Sequence, residues 1–309
     1  MKQVEIYKKI QDKILSLMET EGTDWTKSWA QASTPINLIS KKEYRGINNF
    51  WLSVQGYQCG QWATFKQWNE KGYKIKKGEK STEIIFYQMK QIPLKKLSPT
   101  QRETYSISKI LPKYFLIRTY RVFNGQQIED FKYDIAVPNQ TKDLSKEQMA
   151  YLDDFFANTN AEIKHDSDRA YFSPVMDYIN MPHLISFNES SSYYSVLSHE
   201  VTHWTGHESR LNRETITERN DENYAKEELV AELGAAFLSN LLGVTKEPRP
   251  DHAKYLNVWK ARISEDCKVM VQAFSQAQKA VDYIYSFQKL IFYLQNSSLL
   301  QIQFHLSWG

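Results

Sequence analysis

The chain has 309 residues, of which 41% are hydrophobic and 24% are charged. These proportions are ordinary for a globular protein, and the length is sufficient for two domains. No apolar run reaches the ~18 residues that a membrane-spanning helix needs, so the sequence predicts no membrane partner. The two cysteines, Cys59 and Cys267, lie in different halves and predict a reducing, cytoplasmic environment rather than a disulfide framework.

The net charge of +3 conceals an asymmetry between the two halves of the chain. Residues 1–134 contain 23 Lys and Arg against 13 Asp and Glu, whereas the remainder contains 16 against 23. The basic front half predicts a polyanionic partner and excludes an acidic mimic of DNA. A polar stretch at 137–143 predicts a boundary between domains at 1–135 and 145–309.

The front half is predicted to contain helices and strands. Apolar spacing and a Thr64 N-cap predict helices at 4–19, 48–57 and 64–71. Aromatic and β-branched residues predict strands at 83–89 and 114–123. The polar, proline-containing stretch between them, 91–113, is predicted to be a loop.

Lysines and aromatic residues alternate in the first 80 residues, where five of the eight tryptophans lie, including Trp25 and Trp29. Phosphates attract Lys and Arg, and unpaired bases stack on aromatic rings, so this combination predicts binding of single-stranded DNA. The alternatives are buried tryptophans and a solvated lysine face. The candidate DNA-binding residues are Lys41, Lys42, Tyr44, Arg45, Trp51, Trp62, Phe65, Lys66, Trp68, Lys74, Lys76, Lys77 and Lys80.

The back half is predicted to be mostly helical, with one strand pair. Helices are predicted at 146–159, 193–204 and 224–237, and further helices are expected as far as Ile284. Two short strands are predicted within 170–181, around a turn at 174–177. A strand directly before the 193–204 helix would suit the binding of an extended peptide by strand addition.

The 193–204 helix contains the motif His199-Glu200-Val201-Thr202-His203. Residues four apart project from one helix face, so His199 and His203 can bind one metal ion. Glu200 would then lie near the ion as a general base, which is the arrangement of zinc peptidases. The alternative is a surface helix with two solvated histidines.

A third ligand has two candidates. Ser209 occupies the position where one class of zinc peptidase has a third histidine, and His207 would lie about 12 Å from His199 along a continued helix. Glu228 and Glu232 are four apart on the largely apolar 224–237 helix, and buried carboxylates need partners. We favour Glu228 as the ligand and Glu232 as a residue that orients a ligating histidine, but the spacing permits either.

Several sequence strings in both halves resemble the ArdC antirestriction family, whose N-terminal domain is shared with plasmid primases of the TraC type. The resemblance covers roughly residues 4 to 285, whereas 287–309 matches no family pattern. The strings are Trp25-Thr-Lys-Ser-Trp29, Tyr44-Arg-Gly-Ile-Asn48, Trp62-x-Thr-Phe65, Lys76-Lys-Gly-Glu-Lys80, Val122-Phe-Asn124, Asp168-Arg-Ala-Tyr-Phe-Ser-Pro174, His199-Glu-Val-Thr-His-Trp-Thr-Gly-His207, Ser209-Arg-Leu211 and Glu227-Glu-Leu-Val-Ala-Glu-Leu-Gly234.

The resemblance implies an α+β protein of two domains that is carried on mobile DNA and protects incoming DNA from restriction. Its front domain would bind single-stranded DNA, and its back domain would be a gluzincin-like metallopeptidase. By position, His199 and His203 would bind Zn²⁺, or Mn²⁺ or another divalent ion in its place, with Glu228 or Glu232. Glu200 would be the general base toward an unknown host protein substrate. The alternative is a non-catalytic DNA-binding protein with a structural or regulatory metal.

Overall fold

The computed structural model describes residues 2–26, 29, 33–133, 143–217, 221–244 and 253–306. The helices are α1 (Lys2–Thr20), α2 (Ile47–Ser53), α3 (Phe65–Glu70), α4 (Pro99–Ser108), α5 (Lys146–Ala157), α6 (Ser190–Trp204), α7 (Glu214–Thr217), α8 (Asp221–Leu242), α9 (Ala253–Glu265) and α10 (Cys267–Leu306). The strands are β1 (Ile36–Asn37), β2 (Gln61–Thr64), β3 (Thr82–Gln91), β4 (Lys113–Asn124), β5 (Glu162–Lys164), β6 (Tyr171–Ser173) and β7 (Tyr178–Asn180). Each half thus combines helices with a sheet, which confirms the α+β class.

The front half is organised around a four-stranded sheet with the order β1-β2-β4-β3. β1 and β2 are parallel, and the other pairs are antiparallel. β3 and β4 form a long hairpin whose register runs from Thr82 opposite Val122 to Gln91 opposite Lys113. Both predicted strands are confirmed, and each is slightly longer than its sequence pattern.

The predicted loop at 91–113 is wrong, because it contains the helix α4. Ser98 accepts a hydrogen bond from the Gln101 backbone, and the Gln101 side chain bonds back to the Ser98 backbone. Pro99 occupies the first turn, where a missing N–H costs nothing. Pro99 therefore marks the start of a helix here. Thr64 and Ser145 begin α3 and α5 with the same reciprocal cap.

The back half has a three-stranded sheet with the order β5-β7-β6. β5 is parallel to β7, whereas β6 is antiparallel to it. The predicted strand pair within 170–181 is confirmed as β6 and β7. Both strands pack beside α6, the helix with the two motif histidines, so the sheet places an edge strand next to that helix.

Helices dominate the remainder of the back half. α6 and α8 pack against each other, and α8 also packs on α10. α8 is buried continuously from Glu227 to Ser239, and Gly243, with φ of 66°, follows its last residue in the left-handed conformation that ends many helices. α10 continues to Leu306, well beyond the predicted end of the helical region at Ile284. Within the described ranges, no helix has the length and apolarity to cross a membrane.

The largest apolar core contains side chains from both halves. Ile6, Ile10 and Ile14 on one face of α1 are buried in the same cluster as Trp204 of α6 and Phe274 of α10. The predicted boundary stretch at 137–143 lies, apart from Asp143, outside the described residues. The division at 1–135 and 145–309 stays a prediction, but the two halves share one core.

Candidate metal centre

Three side chains from α6 and α8 converge in the buried interior. The Nε2 atoms of His199 and His203 are 3.0 Å apart. Glu228 places one carboxylate oxygen 3.4 Å from Nε2 of His199 and the other 3.6 Å from Nε2 of His203. All three residues are buried, and each offers a ligand atom toward the other two.

These distances fit a metal ion. Zinc–nitrogen and zinc–oxygen bonds of about 2.0–2.1 Å in a tetrahedron place neighbouring ligand atoms about 3.3 Å apart. The separation of the two nitrogens and the distance from each nitrogen to one of the two Glu228 oxygens all lie close to that value. Two imidazoles and one carboxylate are also a donor set that zinc and other divalent metals accept. His199, His203 and Glu228 could therefore hold a divalent ion.

A second carboxylate lies behind each imidazole. Oε1 of Glu227 is 3.2 Å from Nδ1 of His203, and Oε2 of Glu232 is 4.0 Å from Nδ1 of His199. Metal-bound histidines usually have such a partner, which fixes the ring orientation. The structure thus groups Glu228 with the two histidines and places Glu232 behind one of them.

Arg213 compensates the buried charge of Glu227. Its Nε lies 3.0 Å from Oε2 of Glu227, and its guanidinium also donates to Thr205 and to the Thr202 carbonyl. Burial alone would raise the pKa of Glu227, but Arg213 and His203 lower it to about 2. Burial alone would lower the pKa of His203, whereas Glu228 and Glu227 raise it above its ordinary value. Glu227 therefore remains ionised beside His203.

The sequence patterns indicate no role for Arg213 or Glu227. Glu227 stands next to Glu228 in a string that resembles the family, which was a usable signal. Arg213 follows α6 in a segment that has no helical or strand pattern, so nothing in the sequence indicates that it is buried.

Glu200 is buried on α6, between the two histidines in sequence. Its negative charge contributes to the raised pKa of His203, so it lies within electrostatic range of that imidazole. His207 instead forms a hydrogen bond of 2.8 Å with Ser209. It is outside the group of candidate ligands, as the helical spacing predicts.

An ion pair joins the turn between β6 and β7 to the segment after α6. Arg210 pairs with Asp177 in that turn, and its guanidinium lies 4.1 Å above the Trp204 ring. Arg210 also holds the pKa of Asp177 below its ordinary value by donating hydrogen bonds to it. This ion pair thus fixes the turn after the edge strand β6 beside α6, the helix that carries the two histidines.

The predicted DNA-binding residues divide into exposed, half-buried and buried groups. Tyr44 and Trp51 are half-buried, and Arg45 pairs with Asp282 of α10. Trp62 and Trp68 are 1% and 0% exposed, which removes them from the side chains that can contact DNA. Their rings pack in the interior of the front half, where the Trp68 indole donates to the Phe123 carbonyl. The exposed members are Lys41, Lys42, Arg45, Phe65, Lys66, Lys74, Lys76, Lys77 and Lys80.

Two exposed aromatic residues were missed in the sequence. Phe86 on β3 and Tyr120 on β4 are 43% and 39% exposed, and their ring centroids lie 5.8 Å apart. Arg118, the strand partner of Phe86, is exposed beside them. Alternation along a strand could have indicated which aromatic residues face outward, but neighbouring apolar residues obscured it.

Comparison with known proteins gives matches for both halves. Residues 4–123 match the N-terminal domain of anti-restriction factor ArdC, and residues 150–276 match a zincin-like metallopeptidase family. The chain is 28% identical over 292 residues to the uncharacterized protein y4eC of Sinorhizobium fredii, which covers 92% of each chain. It is 28% identical over 294 residues to DNA primase TraC of Escherichia coli, and this region is 92% of the chain but 27% of TraC.

Two solved structures of one protein also match nearly the whole chain. The chain is 31% identical to the antirestriction ArdC protein from the R388 plasmid, with a TM-score of 0.73, and the match covers 91% of this chain and 97% of that one. The same protein has been solved metal-free and with bound Mn(II). From the matched domains, this identity and this coverage, the chain belongs to the ArdC antirestriction family, with an ArdC N-terminal domain followed by a zincin-like metallopeptidase domain.

Proposed function

We propose that this chain is an antirestriction protein of a mobile genetic element, which binds single-stranded DNA and hydrolyses peptide bonds at a divalent-metal site. The observation that carries the proposal is the buried triangle of His199, His203 and Glu228 beside Glu200. Zinc is the expected ion for this donor set. The Mn(II)-bound structure of the R388 protein supports manganese as an alternative.

The number of ligands favours catalysis over a purely structural metal. Catalytic zinc sites have three protein ligands, whereas structural sites have four. Within the ranges that the structure describes, the cluster contains three residues, two histidines and one glutamate. This is the ligand set of several metallopeptidases, in which further groups orient the histidines.

The residues of the site have separate roles in the proposed hydrolysis. A bound divalent ion would act as a Lewis acid that activates water and polarises a carbonyl. Glu200 would accept the proton from the attacking water and then transfer it to the leaving amine. Glu227 and Glu232 would hold the imidazoles of His203 and His199 in the orientation that directs both Nε2 atoms to one point.

The edge strand β6 is the proposed binding position for the substrate. Among the described strands, β6 pairs with β7 alone, so its outer edge can add an extended peptide. α6 packs beside β6, and Arg210 and Asp177 fix the adjoining turn. A peptide paired with β6 would therefore run beside the metal-binding helix. The proposed substrate is a host protein in an extended, locally unfolded conformation.

The proposed DNA surface lies on the front half. The segments that carry the exposed lysines pack around one small cluster, which contains Trp68, Ile128 and the partly buried Leu38, Tyr73 and Ile75. Lys41, Lys66 and Lys74 are thereby drawn to one region of the surface. Exposed lysines would bind phosphates, while Phe65, Phe86 and Tyr120 would stack on bases. Membership of a family shared with primases supports DNA as the polyanion.

The alternative is a DNA-coating protein whose metal is structural or regulatory. The basic front half favours it, because a surface that covers single-stranded DNA could block restriction without hydrolysis. The two accounts differ in what Glu200 does. In the first it transfers protons, and in the second it is one buried carboxylate among several.

The substitution Glu200→Gln separates these accounts. The Gln variant should retain metal and DNA binding, while hydrolysis of labelled casein by the metal-loaded protein should fall roughly a hundredfold or more. Protection of a conjugating plasmid in a restricting host should fall with it. Glu208→Gln, which removes an exposed carboxylate just after α6, is the matched control. Full protection by Glu200→Gln would instead support the DNA-coating account.

A further inference from the structure

A threonine from the front half reaches the metal centre in the back half. Oγ1 of Thr26 donates a hydrogen bond of 2.8 Å to Oε1 of Glu232. Both residues are 1% exposed, and they are 206 positions apart in sequence. Glu232 is the carboxylate behind His199, with its other oxygen 4.0 Å from Nδ1 of that residue.

The two ligating histidines have parallel surroundings. His203 has Glu227 behind it, and Glu227 accepts hydrogen bonds from Arg213 and from the Thr215 hydroxyl. Those donors all belong to the back half. His199 has Glu232 behind it, and Glu232 accepts from Thr26 of the front half. The carboxylate behind His203 is thus held by donors of the back half, whereas the carboxylate behind His199 is held by a donor of the front half.

Two buried tryptophans flank Thr26 in sequence. Trp25 and Trp29, which flank it in the Trp25-Thr-Lys-Ser-Trp29 string, are 1% and 2% exposed. The Trp29 ring packs edge-on against Phe237 of α8, with ring centroids 5.6 Å apart. Phe237 lies five residues after Glu232 on the same helix, so the segment is anchored to the element that it supports. The contact between Trp29 and Phe237 thus ties the segment that carries Thr26 to α8, the helix that carries Glu232.

The hydroxyl of Thr26 is buried, so its hydrogen bond to Glu232 is energetically important. A buried hydroxyl costs free energy unless it is hydrogen-bonded, and Val has the same shape without that cost. A hydrogen bond to a charged carboxylate is stronger than one between neutral groups, so Thr26 can fix the rotamer of Glu232. With Oε1 of Glu232 held by Thr26, Oε2 of Glu232 faces Nδ1 of His199. Their separation is about 1 Å longer than a normal hydrogen bond.

We infer that Thr26 is a positioning residue of the metal centre, which acts through Glu232 on the imidazole of His199. This inference rests on the metal site proposed above. It means that the zincin-like region at 150–276 does not contain all of its own site. The front half contributes one of the groups that orient the ligands, in addition to any role in binding DNA.

The test compares metal affinities of full-length variants, measured for Zn²⁺ and Mn²⁺ by competition with a chelating dye. Thr26→Val should weaken binding about 10–100-fold, the range for groups that orient metal ligands. Thr26→Ser, which keeps the hydroxyl, should bind nearly as tightly as the parent. Thr34→Val is the matched control, because Thr34 also donates from the front half to α8, at Asn240, away from the ligands. It should bind like the parent.

Each other outcome counts against the inference. Equal affinities of Thr26→Val and the parent would overturn it, and so would a Ser variant as weak as the Val variant. An equal loss in Thr34→Val would indicate general loosening of α8 and would overturn it too. If Thr26→Val does not fold, Thr26→Ala and Thr26→Ser give the same comparison, since they differ only in the hydroxyl. A parent that binds neither ion would refute the metal site itself.

Discussion

Gly234 of α8 packs directly against Thr202 of α6. A Cβ atom built on Gly234 would lie 2.5 Å from Cγ2 and 2.6 Å from Oγ1 of Thr202, which is too close for any side chain. α6 carries both histidines and α8 carries Glu228, so this contact sets how closely the two helices of the candidate metal centre approach. The spacing of His199, His203 and Glu228 therefore depends on a residue that has no side chain.

Gly234→Ala should lower both stability and metal affinity. In an unconstrained helix this change stabilises by about 0.5–1 kcal/mol. Here the methyl group must displace Thr202, and overpacking costs typically about 1–3 kcal/mol. Urea unfolding of the metal-free protein measures the first effect, and dye competition the second. Adding Thr202→Ala should recover part of the loss, whereas a Gly234→Ala single variant as stable as the parent would refute the close approach.

Removal of the two histidines should abolish metal binding. The parent should bind about one divalent ion per chain, and an ion at a hundred times its dissociation constant should stabilise the fold by about 2.7 kcal/mol. His199→Ala/His203→Ala should show neither bound metal nor this stabilisation. His165→Ala/His183→Ala removes a stacked pair of exposed histidines elsewhere and serves as the control. Full metal content in the first double variant, measured by elemental analysis, would exclude the site.

Arg213→Met should destabilise the protein strongly. The change leaves Glu227 buried without its main charge partner, and breaking a buried ion pair from one side costs about 3–5 kcal/mol. Denaturant unfolding of the metal-free protein measures the loss. Arg213→Met/Glu227→Gln should be more stable than Arg213→Met alone, because the second change removes the isolated charge. A double variant that is less stable than the single one would contradict this account.

Aromatic and basic side chains should contribute to DNA binding in different ways. Phe86→Ala/Tyr120→Ala should weaken binding of single-stranded DNA by about 1–3 kcal/mol for each base that no longer stacks, without a change in salt dependence. Lys74→Glu/Lys76→Glu/Lys77→Glu should reduce the slope of log affinity against log salt by about 0.7 for each phosphate that the protein no longer binds.

Fluorescence anisotropy of full-length protein with an oligonucleotide at several salt concentrations measures both effects. Tyr151→Ala, at an exposed aromatic residue of α5 in the back half, is the control. An affinity that does not depend on salt would exclude the proposed phosphate binding. An unchanged affinity in Phe86→Ala/Tyr120→Ala would exclude these two rings as stacking residues.

The parts of the site that follow from local spacing could be predicted from the sequence. His199 and His203 are four apart on one helix, so their convergence needs only helical geometry. Glu228 and Glu232 have the same spacing on α8, which is why spacing could not rank them. The ranking depends on how α8 passes α6, and this is a property of the packed fold.

The remaining parts depend on contacts that local patterns do not record. Trp62 and Trp68 have the residue type that both a base-stacking surface and a core would use, so composition could not separate these roles. The role of Thr26 depends on a contact with Glu232, far along the chain. In contrast, α4 was predictable, since Ser98, Pro99 and Gln101 form a recognised helix start.

The shared core has a consequence for how such a protein can be inherited. Ile6, Ile10 and Ile14 of α1 lie in one cluster with residues of the back half, so a recombination event between the halves would expose apolar surface on both products. Exchange of whole chains avoids that cost. DNA primase TraC fits this expectation, because both halves occur together as 27% of its length. Selection would thus keep the front and back halves together as one unit of inheritance. A chimaera of two relatives should fold only if the core residues that contact each other across the halves are exchanged together.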